Sequence, residues 1–416
     1  MGKHCFVDTV RYCSPSHGGW GVVRMGMLVP ESYQLFVCPF ACGRHGAIGA
    51  IVQNFKDRLS YLYIDELDIV SGGYEQLIPE AVGELLAELS SRPRVLMVFV
   101  SCLDDLLGTD HEAFLRVLRT RYPDMRFVVG HMNPITLDGK IPPPVNIQRQ
   151  IYSLLERSDR HVAAVNFIGN NVAISHDSEI YEVLRRAGFP DIRHISECGS
   201  FAEFQAMADS SLNFVPTPVG LVAAQEMQRK LNIEYFYAPV SYDFEEIEDV
   251  YQRLLARTGT SMDFTVPRER AEKALEHAGD VLAGMPVVID ASATVRPFTL
   301  ARLLLIHGFN VREIYAQESI ALEQESLAWL EENAAHVAIY QPEHHRSPVI
   351  RQQIRECLAI GFECAYLTGA KYVVDLANDE TLYGFQGVER LMDRIAAAAG
   401  TQADLQAMVA QYGLVV

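Results

Sequence analysis

"RVLMVFVSCLDDLLGTD" (94–110) opens with six consecutive apolar residues, Val95 to Val100, and then turns polar. A run of that length, apolar on both faces, is the pattern of a strand buried inside a parallel sheet. Downstream, Phe114, Leu115, Val117 and Leu118 share one face of a helix expected around 111–120. "MRFVVG" (125–130) is the next strand. Upstream, apolar residues at 81, 82, 85, 86 and 89 mark another helix over 79–90. Strand and helix therefore alternate, which is the signature of an α/β unit.

The alternation continues along all 416 residues. A first unit, 1–158, closes with a helix expected at 145–157, after "GKIPPPVN" (139–146), where the proline run cannot continue either element. A second unit, 159–283, opens at "HVAAVNFIG" (161–169) and leaves through one long helical stretch, 243–282, with charged faces. A third, 284–416, opens at "MPVVIDASA" (285–293) and carries helices expected at 297–307, 321–333, 348–358 and 387–399. The expected fold class is α/β, with three Rossmann-like doubly wound domains built on parallel sheets.

Composition narrows the functional classes. A net charge of −18 with no basic stripe argues against a nucleic-acid partner. No apolar run approaches the roughly 18 residues of a membrane span, and the opening residues lack a signal-peptide core, so a cytoplasmic protein with no membrane partner is expected. No G-x-x-x-x-G-K-[ST] motif occurs, so no ATP site of that kind is expected in this chain. Eight cysteines in a chain of this length and compartment point to metal or redox chemistry rather than a disulfide scaffold.

In doubly wound folds, ligands gather at the carboxyl ends of the strands. Cys102 follows "VLMVFVS" directly, and Cys38 and Cys42 follow "QLFV" in "YQLFVCPFACGRHGAIGA" (33–50). Cys13 precedes the glycine-rich turn "SPSHGGWG" (14–21). Several chemistries fit these residues. Cys38, Cys42 and His45 could hold zinc. The same three nearly match the C-x3-C-x2-C motif of radical S-adenosylmethionine enzymes, with His45 in the third cysteine's place. Thiolates spread over one sheet edge suit an interfacial iron–sulfur cluster. Cys42 beside Arg44 and His45 could be a nucleophile of lowered pKa, and a plain buried turn is the bland alternative. Cys198, Cys357 and Cys364 lie in or beside amphipathic elements and read as small buried hydrophobes. "PEHHRSP" (342–348) reads as a solvated loop.

Four stretches, taken in order, resemble nitrogenase component 1 and its relatives, the reductases that receive electrons from an ATP-driven iron protein. They are "CSPSHGGWGVV" (13–23), "CPFACGRHGAIG" (38–49), "DELDIVSGGYEQL" (65–77) and "VSCLDDLLGTD" (100–110), the last with Thr109 in place of the family's first Asp. "VNFIGNN" (165–171), "SLNFVPTPVGLVAAQEMQRKLNIEYFYAP" (211–239) and "YGFQGVERLMDRI" (383–395) extend the likeness over most of the chain. The resemblance implies a nitrogenase component 1-like fold and Cys13, Cys42 and Cys102 as ligands of an iron–sulfur cluster, either 4Fe–4S or a larger P-cluster-like group. Cys42 matches better than Cys38 because Gly43 follows it, which leaves Cys38 as an extra thiol and a candidate fourth ligand.

Two departures are informative. Thr217 stands where the molybdenum nitrogenase catalytic chain has a cofactor-ligating cysteine, and no histidine lies near Val374, where the family's cofactor histidine falls. An iron–molybdenum-type cofactor held in the usual way is therefore not expected. The resemblance implies an oxidoreductase that takes electrons from a homodimeric, MgATP-dependent iron protein docked over the first domain. It also implies assembly as a homodimer or as a heterotetramer with a related chain. His17, Arg44, His45 and Thr217 are the catalytic candidates, and the substrate stays unnamed. A non-catalytic scaffold for metallocofactor assembly is the alternative, and a metal-free small-molecule binding protein the third reading.

Overall fold

The computed structural model describes residue 12, residues 21–43, 47, 50, 54–132, 141–347 and 356–411. Three sheets, each wholly parallel, carry the fold. The first contains β1 (Ser32–Cys38), β2 (Leu59–Tyr63), β3 (Val95–Val100) and β4 (Arg126–His131), in the order β2-β1-β3-β4. The second contains β5 (Val162–Phe167), β6 (Asp191–His194), β7 (Ser210–Val215) and β8 (Glu234–Tyr237), in the order β6-β5-β7-β8. The third contains β9 (Pro286–Asp290), β10 (Asn310–Tyr315), β11 (Ala338–Tyr340), β12 (Leu358–Ile360) and β13 (Tyr372–Val374), in the order β11-β10-β9-β12-β13. The α/β class with Rossmann-like parallel sheets is as the sequence implied.

The first and second sheets belong to one compact unit, Trp20–Asn171 with Asp191–Tyr237. The third sheet belongs to another, which takes in Val172–Pro190 and Ala238–Val416. Within the first sheet, β3 is buried along its whole length because both faces are covered. Met97 and Phe99 face Ile147 and Ile151 of the helix Pro143–Tyr152. Leu96, Val98 and Val100 face Ile78 and Val82 of the helix Tyr74–Glu88 and Phe114 and Leu118 of the helix His111–Arg121. This two-sided burial is why the apolar run is continuous rather than alternating. The register pairs Cys38 with Tyr63, Val37 with Val100, and Val100 with His131, so the four strands end together on one edge.

Some elements differ from expectation. The helix expected from residue 145 starts at Pro143, its prolines occupying the first turn, where no intrahelical N–H is needed. The long stretch 243–282 is two helices, Phe244–Ala256 and Thr265–Leu282, separated by a turn in which Gly259 takes φ +66°. The helix expected over 348–358 falls largely outside the described residues, and its last position, Leu358, opens β12 instead. Among the described residues, no helix is long and apolar enough to cross a membrane.

Candidate functional site

The carboxyl edge of the first sheet gathers three thiols. Cys38 ends β1 and is fully buried. Cys42 lies one turn further on, its N–H donating to the Pro39 carbonyl at 2.9 Å. Cys102 opens the short helix Cys102–Leu107 directly after β3, where Ser101 Oγ accepts the Leu103 N–H. The Ser101 N–H donates to Val37 O at 3.3 Å and ties the two strand ends together. Gly43 permits the close turn: a Cβ there would fall 2.9 Å from Tyr63 Cε1, in a pair of rings, Tyr61 and Tyr63, stacked at 5.4 Å.

The thiols are near enough to affect one another's ionisation. Burial pushes Cys38 up to about 12, with Cys42 adding to the effect. Burial raises Cys42 as well, with Cys102 adding. A nucleophilic Cys42 needs the opposite shift, and Arg44 and His45, the residues expected to supply it, lie outside the described residues. A cationic metal centre reverses the balance, because metal binding displaces thiol protons. Soft sulfur donors from two adjacent strand ends fit an iron–sulfur cluster by donor chemistry. All six described cysteines are free thiols. Cys13, His17, Arg44 and His45 lie outside the described residues.

A second cluster on the same edge was not singled out by sequence reasoning. Asp104 is almost wholly buried, at 1% exposure. Tyr74 Oη donates to its Oδ1 at 3.0 Å, and His111 Nε2 meets its Oδ2. His131 ends β4 and brings its ring to 5.2 Å from that of His111, edge-on at 65°. Burial works against a charged His111, but the carboxylates of Asp104, Asp105 and Asp110 outweigh it and raise its pKa. The sequence shows the single residues, an Asp-Asp pair after the strand end and histidines at element boundaries, but not what joins them, the placing of β4 beside β3.

Thr217 follows β7, is buried, and makes no capping hydrogen bond to the helical turn that starts at Pro218. Its methyl group instead faces Gly169, which adopts φ +113° and where a Cβ would lie 2.6 Å from Thr217 Cγ2. Val374 ends β13, and its carbonyl accepts the Gly361 N–H. Cys357 and Cys364 are fully buried beside β9 and β12. Cys198 is half-buried and lines a cavity of about 610 Å³ with Arg24, Leu28, Arg58, Asn171 and Ser196, whereas none of the three thiols of the strand edge reaches it.

The fold and its sulfur-bearing edge define a class. A sequence profile of the nitrogenase component 1 type oxidoreductases matches residues 18–399, and the chain belongs to that family. It is 20% identical over 292 residues to the nitrogenase iron-molybdenum cofactor biosynthesis protein NifE of Clostridium pasteurianum. That alignment covers 66% of this chain, and the chain spans 62% of that relative's length. The solved structure of nitrogenase Cp1 at pH 6.5 superposes with a TM-score of 0.69 at 14% identity, over 96% of this chain and 94% of the other. The same protein at pH 5 gives 0.65 at 14% identity, over 95% and 90%. At such identities the superposition establishes the fold.

Proposed function

We propose that the chain is a reductase component that accepts electrons from a separate ATP-dependent iron protein. Cys13, Cys42 and Cys102 ligate an iron–sulfur cluster in its first domain, residues 1–158, with Cys38 as the fourth candidate. The observation that carries this reading is the convergence of Cys38, Cys42 and Cys102 at the ends of two adjacent parallel strands. When bound, such a cluster supplies one-electron transfer, with a potential tuned by burial and by hydrogen bonds to sulfur. The chain's own part is to hold the thiolates and to limit water at Cys38 and Cys42.

Three thiolates leave a cubane one ligand short, so the fourth comes from Cys38, from an oxygen or nitrogen ligand, or from a second subunit, in a homodimer or a heterotetramer. The surface supports an interface here. Phe40, Tyr63, Leu67, Val70, Leu106 and Leu107 are all exposed, and all lie at or just beyond the carboxyl ends of β1, β2 and β3. Apolar groups gathered in this way mark contact surfaces more often than free ones.

Anaerobic purification followed by iron, sulfide and zinc analysis, with spin resonance before and after dithionite, tests the reading. About four iron atoms per cluster are expected, lost in Cys42→Ser and Cys102→Ser but retained in Cys364→Ser. Unchanged iron in Cys102→Ser sinks the ligand assignment. The similarity to a cofactor biosynthesis protein, together with Thr217 and Val374 at the cofactor-ligand positions, favours one second reading, an assembly scaffold. Turnover of a substrate with iron protein and MgATP eliminates the scaffold. Transfer of a bound cofactor to another protein without turnover eliminates the reductase.

A further inference from the structure

The geometry points to a mononuclear divalent transition-metal site, separate from the thiols, ligated by Asp104, His111 and His131. One ligand atom from each residue lies within 4.8 Å of the other two. Tetrahedral coordination at about 2.0–2.1 Å sets ligand atoms about 3.4 Å apart, so side-chain rotations alone close the set. The backbone is already arranged for it. Gly108 in the left-handed conformation, at φ 63°, ends the helix that carries Asp104. The chain then turns so that His111 opens the next helix against the same carboxylate. His131 arrives from β4, whose last residue pairs with Val100, four positions before Asp104.

Two observations separate this cluster from an ordinary ion pair. His131 Nδ1 is buried and makes no hydrogen bond. Asp105 Oδ1 approaches it to 3.3 Å, without hydrogen-bond geometry. A buried nitrogen with a carboxylate nearby but no hydrogen bond is poorly satisfied, and a metal–nitrogen bond removes that cost. Asp104, meanwhile, has its outer oxygen anchored by Tyr74 Oη, the hydrogen bond that fixes a ligating carboxylate. Two imidazoles and one carboxylate select zinc, iron(II) or cobalt(II) over calcium or magnesium, which prefer all-oxygen shells. Side-chain exposures of 26% for His111 and 23% for His131 leave the fourth position open to water or a small ligand, the arrangement of reactive rather than purely structural sites.

The test is equilibrium dialysis of the anaerobically purified protein against Co2+, with elemental analysis and X-ray absorption at the cobalt edge, which reads the ligands whatever iron is present. One bound cobalt with a nitrogen/oxygen shell is expected. His131→Ala and His111→Gln should each weaken binding at least about 100-fold, and Tyr74→Phe about 10-fold, since outer-shell losses span 10–100-fold. Asp104→Asn keeps the side-chain shape and the Tyr74 contact, so its loss of binding cannot be assigned to misfolding. A sulfur shell that disappears in Cys102→Ser overturns the proposal in favour of the thiols. No cobalt bound, or unchanged affinity in both histidine variants, leaves a simple His111–Asp104 ion pair and overturns it too.

Discussion

Asp104 and Asp290 are both buried carboxylates at the carboxyl ends of parallel strands, yet their surroundings differ. Asp290 ends β9, and backbone and hydroxyl donors fill its oxygens: Ser292 N at 2.8 Å, Ala293 N at 2.9 Å and Ser292 Oγ on Oδ1, with Cys364 N at 2.7 Å on Oδ2. Burial still raises its pKa, against the pull of those hydrogen bonds. Asp104 lies beyond β3 and is held by side chains alone, Tyr74 and His111. Backbone donors cannot swing away, whereas a tyrosine and a histidine can re-aim. The third sheet uses its strand end to fasten loops; the first holds its carboxylate through side chains that can turn.

The largest effect expected from this contrast falls on the third sheet. Asp290→Ala removes the acceptor of the Ser292 and Cys364 N–H groups and leaves Ala293 N–H only its 3.3 Å contact with Asp290 O. At about 1–3 kcal/mol for each buried unpaired group, a loss of at least about 2 kcal/mol is expected. Urea unfolding followed by circular dichroism reads this as a lowered midpoint for one of two transitions, since a chain of two compact units need not unfold in a single step. A loss below about 1 kcal/mol would mean that water replaces the carboxylate there. Asp104→Asn keeps the acceptor that Tyr74 uses and should cost only about 1 kcal/mol, while removing the charge. If Asp104→Asn proved as damaging as Asp290→Ala, the distinction between backbone-held and side-chain-held carboxylates would fail.

A pH effect at another strand end comes next. His194 closes β6 almost fully buried; its Nδ1 accepts the Ser196 N–H at 3.1 Å and its Nε2–H donates to Asn170 O at 3.1 Å. That pattern fixes the neutral ring, and burial lowers its pKa to about 4. Unfolded histidine titrates near 6.5, so between those values the unfolded chain binds a proton that the folded chain refuses. Stability is therefore complete above about pH 6.5 and lost as pH falls toward 4, by about 3 kcal/mol in all. His194→Gln should flatten that acid limb. An acid limb as steep as in the unaltered protein would show that other groups carry the loss.

Much of the fold was legible because its strands are apolar on both faces. Val95–Val100 and Pro286–Asp290 stand in the centres of their sheets and are covered from both sides, so sequence and burial coincide. Leu59–Tyr63 was missed because it is an edge strand, only partly covered, with serine and tyrosine in its pattern. Leu358–Ile360 was missed for the opposite reason: three buried residues are too short a run to stand out beside "RQQIREC". At the site, the strand-end position of Cys38, Cys42 and Cys102 could be read from the chain. The Asp104–His111–His131 cluster could not, because it depends on β4 lying beside β3, an adjacency that the order of elements does not dictate.

The smallest effect on folding should come from the rim of the first sheet. Leu106 and Val70 are 69% and 84% exposed, so Leu106→Asp and Val70→Asp should change stability by no more than about 0.5 kcal/mol. Leu106 and Val70 lie on short helices that directly follow strands of the first sheet, whereas Val266, Val281 and Ile306, the large exposed apolar residues described outside that sheet's unit, lie on longer helices. If the edge of the first sheet meets a partner, the two aspartate variants should shift the oligomer toward monomer in light scattering, or weaken capture of an iron protein, while Val281→Asp does neither. A charge placed in a buried contact must be desolvated without a counter-ion, which opposes association far more than it perturbs an exposed helix. Equal behaviour of all three variants would remove the rim from the comparison and leave the buried carboxylates as its whole content.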